Sequence, residues 1–156
     1  MKITRVEKRE VASFLPLPFF TSSVPAGFPS PADDYIESSL DLNEYLIKHP
    51  SSTYFARASG DSMVERGIMD KALLIVDRAI EPRQGQVVIA AINGELTCKI
   101  LDIQNKQLLA ANPSYAPVRI TEDSELLLEG VVIHVINTLC GPWKNVRPSR
   151  LQYLLR

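Results

Sequence analysis

From Thr53 onward, apolar and polar residues change places with a period near two, or form short unbroken apolar runs. Both are strand patterns, the first with one face in a core and the second buried on both faces. Thr53–Ala58 alternates, and Ala72–Val76 and Gln86–Ile92 are solid apolar runs. Asn93-Gly94 follows, a dipeptide that tolerates the positive φ of a tight hairpin turn, and Glu95–Ile103 returns as the partner strand. Gln107–Ala111 and Leu126–Ile136 complete the set. One short helix is predicted from Asp41. That residue can cap it, Glu44 stands three positions on as in a capping box, and Leu42, Tyr45 and Leu46 share a face. His49-Pro50 ends it, because the residue before a proline is pushed out of helical geometry. The expected fold is mainly β, a compact β-rich domain with one small helix and no internal repeat.

Residues 1–35 follow neither period. Pro16, Pro18, Pro25, Pro29 and Pro31 fall here among Ser22, Ser23, Gly27 and Ser30, so the segment reads as an extended arm. Lys2 and Arg5 precede an apolar run from Val11 to Phe20, and Val24-Pro25-Ala26 loosely imitates a secretory cleavage signal. Glu7 and Glu10 in the would-be basic region, and two prolines in the would-be apolar helix, argue against a signal peptide. The predicted organisation is an arm over 1–35, a core domain over 36–137 and a basic extension over 138–156. In that extension Leu151, Leu154 and Leu155 have helical spacing, and residues 141–156 hold four basic residues and no acid.

Composition narrows the options. At 156 residues the chain suits one domain. A formal net charge of −1 gives no reason to expect tight binding to a phosphate backbone. Cys98 and Cys140 are too few for a disulfide framework and are expected as reduced thiols in a cytoplasmic protein. No run approaches the ~20 apolar residues of a membrane span. No cofactor or metal is implied.

Chemistry concentrates in two places. Gly60, in Ala58-Ser59-Gly60-Asp61-Ser62-Met63, allows a tight turn after the first strand, so Ser62 can be presented at an edge. A serine needs a base within hydrogen-bond reach. His134 lies inside an apolar strand and His49 at a helix end, and neither sits in a motif that would orient it. Lys99 interrupts Leu96–Leu101, a strand otherwise free of charge, with Thr97 and Leu101 on its face. Burial disfavours an ammonium, and a neutral amine can take a serine's proton. On pattern alone, a lysine that snorkels to water from a strand edge explains Lys99 better than a catalytic role does.

Ser59-Gly60-Asp61-Ser62-Met63, followed by Gly94-Glu95-Leu96-Thr97-Cys98-Lys99, resembles the paired boxes of the LexA/UmuD family of self-cleaving serine–lysine peptidases. Gly27-Phe28-Pro29-Ser30-Pro31-Ala32, Asp41-Leu42-Asn43, Leu73-Leu74-Ile75-Val76-Asp77 and Gly130-Val131-Val132-Ile133-His134-Val135 are similar to its UmuD type in particular. The resemblance implies Ser62 as nucleophile, Lys99 as general base, backbone amides at Asp61 and Ser62 as oxyanion hole, and Ala26–Gly27 as the bond cut. It further implies a homodimer, self-cleavage stimulated by a RecA–single-stranded DNA filament in the DNA-damage response, and a trimmed form that assists an error-prone Y-family DNA polymerase in translesion synthesis. An arm of 26 residues leaves no room for a helix-turn-helix domain, so no specific DNA binding is expected, and no membrane partner. A processing peptidase acting on other proteins, and a non-catalytic interaction module, are the alternatives.

Overall fold

In a computed structural model the described residues are 1–8, 14–20 and 37–140. Ala26–Gly27, the basic segment 141–156 and the helix expected within it lie outside them. Ten strands are described: β1 (Lys2–Lys8), β2 (Pro16–Phe20), β3 (Glu37–Asp41), β4 (Thr53–Ser59), β5 (Leu73–Asp77), β6 (Val87–Ile92), β7 (Glu95–Asp102), β8 (Gln107–Leu109), β9 (Val118–Arg119) and β10 (Leu126–Ile136). One short helix, α1 (Leu42–Leu46), precedes β4, and a single 3₁₀ turn, Val64–Arg66, follows it. The mainly-β expectation holds.

Eight strands form one antiparallel sheet in the order β1-β4-β5-β10-β6-β7-β8-β9. β1 also meets β7, pairing Lys2 with Thr97, and this joins the two ends of β4-β5-β10-β6-β7 into a barrel. The Asn93-Gly94 hairpin links β6 to β7 as expected, with φ of 49° and 80° at its two central residues. β10 reaches both β5 and β6 because it bends, with register shifts at Leu128/Gly130 and Val132/His134. Gly130 makes the first bend possible. Its φ is +142°, and a Cβ there would stand 2.7 Å from a methyl of Val76.

The core is two apolar clusters on opposite faces of the sheet. One gathers Met1, Ile3, Tyr54, Ala56, Met63, Leu74, Val76, Ile89 and Cys98, and the other Val88, Ala90, Leu101, Leu108 and Val131. This explains the solid apolar runs: β5 and β6 are covered on both sides. Asp102, buried at the end of β7, accepts hydrogen bonds from the side-chain amides of Gln107, Asn105 and Gln84. Those donors hold its carboxyl well below the usual range.

Three sequence expectations change. The arm contributes β1 to the main sheet and pairs its β2 with β3 in a separate two-stranded ribbon. Local patterning cannot see this, because β1 is chosen by an edge supplied from residues 53–59. The helix ends at Leu46, before His49-Pro50, and buries none of its residues; its Leu42 and Tyr45 are more than half exposed. Asp41 does cap it, accepting from the Asn43 amide at 2.8 Å and also from the Leu15 amide of the arm at 2.9 Å.

Candidate active site

β4 ends at Ser59 and the chain turns at Gly60, whose φ of +95° suits glycine and whose amide donates to the Asp70 carboxylate at 2.8 Å. The turn brings Ser62 back beneath the sheet edge, where 1% of its surface is exposed. Three further bonds fix the loop. The Ala111 amide donates to the Ser62 carbonyl at 2.8 Å, the Glu65 amide to the Ala111 carbonyl at 3.0 Å, and Asn112 Nδ2 to the Asp61 carbonyl at 3.1 Å.

Lys99 comes from β7, opposite Val88 of β6. It is 7% exposed, so the snorkelling alternative fails on burial. Its Nζ donates to Ser62 Oγ at 3.3 Å. The two residues singled out in the sequence are thus neighbours in space, across the seam between the β4 turn and β7. The Tyr115 ring lies 5.5 Å from Lys99 Nζ, and its hydroxyl donates to the Asp61 carboxylate. That bond raises the Tyr115 hydroxyl above its ordinary pKa, since losing the proton would set two anions together. Tyr115 and Asn112 carry no signal in the sequence, because both sit in a connecting loop whose only local cue is Asn112-Pro113, a turn former.

Serine and lysine share a cleft of about 620 Å³ lined by residues that include Gly60, Asp61, Leu96, Thr97, Leu108 and Tyr115. Met1 lines it too. Its α-amine donates to Ser62 Oγ, and its carbonyl accepts from the Cys98 amide at 2.9 Å and from Thr97 Oγ1 at 2.7 Å. Burial, with Lys99 alongside, lowers the α-amine to about 5. Burial also pushes the Cys98 thiol, on the opposite face of β7, up to about 12, which makes it a packing group. Neither cysteine is bridged.

Neither histidine lines the cleft. His49 Nδ1 lies 2.6 Å from the buried carboxylate of Asp77, which Ser52 Oγ and the Ala79 amide also approach, so this cluster ties the start of β4 to the end of β5. Among the described residues no group of three or more histidine, cysteine or acidic side chains could hold a metal, and no helix is long and apolar enough to cross a membrane.

Residues 18–133 match the family described as Peptidase S24-like. The chain belongs to this family. Within it, Protein SamA of Salmonella typhimurium is 48% identical over 132 residues, covering 84% of this chain and 91% of that one. Protein MucA of Escherichia coli is 38% identical over 136 residues, 86% and 93% of the two chains. LexA repressor 1 of Pseudomonas syringae pv. tomato is 38% identical over 139 residues, 87% and 67%. These relatives place the chain in the UmuD type of the LexA/UmuD group, a serine peptidase family. The matched span holds both Ser62 and Lys99, and it also holds Ala26–Gly27.

Proposed function

We propose that the protein cuts its own chain between Ala26 and Gly27, with Ser62 as nucleophile and Lys99 as general base. The observation that carries this reading is the 3.3 Å contact between Lys99 Nζ and Ser62 Oγ, two buried polar side chains brought together at the cleft. A neutral Lys99 takes the Ser62 proton as Oγ attacks the Ala26 carbonyl carbon. The backbone amides at Asp61 and Ser62 receive the developing oxyanion. Lys99 then hands the proton to the departing Gly27 amine, leaving an acyl-enzyme on Ser62 that water hydrolyses.

Small residues at 26 and 27 let the bond enter a narrow cleft, and Pro25 and Pro29 keep its flanks extended. The bond lies in the connection between β2 and β3, and on this reading it enters either the protein's own site or a dimer partner's. On this reading a RecA–single-stranded DNA filament stimulates the cut. The trimmed homodimer then assists an error-prone Y-family DNA polymerase in translesion synthesis.

Purified protein is incubated with and without RecA filaments, beside Ser62→Ala, and its intact mass followed. A fragment beginning at Gly27, formed by wild type and not by the variant, is the expected outcome. The same fragment from Ser62→Ala, or none from wild type with filaments present, would falsify the reading.

A further inference from the structure

The groove between β4 and β7 is where any peptide must lie to present a bond to Ser62, because Ser62 follows β4 and Lys99 belongs to β7. That groove is filled. β1 runs along it antiparallel to β4, from Lys2 opposite Ser59 to Lys8 opposite Tyr54, and touches β7 at Thr97. Met1 and Ile3 are buried in the core while Lys2 faces water and pairs with Glu95. The Met1 carbonyl accepts from the Cys98 amide and the Thr97 hydroxyl, and the Met1 amine donates to Ser62 Oγ.

Neighbouring strands stand ~4.8 Å apart, so the gap between β4 and β7 admits one strand. A reacting carbonyl must come within ~3–3.5 Å of Ser62 Oγ, where Met1 now sits. An incoming segment would also need ladder groups of β4 and β7 that β1 already uses. We propose that β1 is an internal competitor for the substrate groove, and that the Ala26–Gly27 segment reaches Ser62 only after the first residues of β1 have left it. This rests on the self-cleavage reading above and supplies its regulation: the apparent rate is the intrinsic rate multiplied by the fraction of molecules with the groove free. Whatever stimulates cleavage does so, on this view, by raising that fraction.

Lys2 and Ser59 are cross-strand partners, so cysteines at both positions can lock β1 in place. The test uses the full chain carrying Lys2→Cys and Ser59→Cys, with Cys140→Ser to remove the exposed thiol. Self-cleavage is scored on reducing gels, so that a cut but tethered fragment is still seen. Oxidised protein should form the Gly27 fragment at least tenfold more slowly than the same protein reduced, and adding reductant should restore the rate. In a second arm, with Ser62→Ala added, a labelled peptide of residues 21–32 should bind the reduced protein and not the oxidised one. Equal cleavage in both redox states, or equal peptide binding, overturns the competitor. If neither form is ever cut but the peptide still binds only the reduced protein, the competitor stands and the self-cleavage reading fails.

Discussion

The barrel and the ribbon β2–β3 with its helix α1 are built from similar apolar material and put it to opposite use. In the barrel, Leu74, Val76, Val88 and Ile89 are fully buried, and the positions flanking Ser62 are held by backbone bonds. In the ribbon, Leu17 is 52% exposed and Phe19 46%, and α1 leaves Leu42 and Tyr45 in water. Asp41, which receives the Leu15 and Asn43 amides, links the start of β2 to the start of α1. A strand's apolar face thus says little until a second layer is known to cover it. The candidate chemistry resides where coverage is complete, because only there can a lysine be held out of water beside a serine.

Several measurements would break or sharpen this contrast. The largest effect belongs to the barrel site: Lys99→Ala and Lys99→Arg should each slow formation of the Gly27 fragment by about 10³-fold or more, since arginine keeps the charge and cannot act as a base. Mass spectrometry of timed samples reads the rate, and circular dichroism checks the fold. Next comes packing. Leu74→Ala should cost about 2–5 kcal/mol of unfolding free energy in urea, whereas Leu17→Ala in the ribbon should stay within about 0.5 kcal/mol. Equal costs would erase the distinction between the regions.

Gly130→Ala tests the bend that lets β10 close the barrel. The added methyl meets Val76 and the Asp77 carbonyl at a φ that side chains avoid, so a loss of about 1–3 kcal/mol is expected. A smaller effect concerns β1. The Met1 amine falls from 8.0 to about 5 on docking, so a docked strand binds its proton less readily than a free one. Docking is then fully supported above about pH 8 and weakens as the pH falls toward about 5, with Lys99, Cys98 and Asp61 the titratable neighbours. Protection of the Cys98 amide, corrected for its intrinsic exchange rate, should decline across that window. No change from pH 8 to 5 would remove the amine from the account.

Much of the barrel was legible from residue order alone. β4, β5, β6, β7 and β10 fall within a residue or so of their expected limits, since each carries its own pattern and the Asn93-Gly94 turn fixes one pairing outright. The strands that went unread, β1, β2, β3 and the short β9, owe their existence to partners far along the chain. The serine and the lysine could be picked out individually. Their proximity could not, because it depends on β1 and β7 meeting across the barrel seam, and Lys99 by pattern suited an edge lysine better than a catalytic one. Met1 in the cleft and Tyr115 against Asp61 left no trace in local sequence at all.

The pH dependence of self-cleavage tests the central claim most directly. A base must be unprotonated to act, so above pH 8, where docking of β1 no longer changes with pH, Gly27-fragment formation should speed up as the pH is raised. A rate that is flat across this range, with Ser62 still required, would contradict Lys99 as the base.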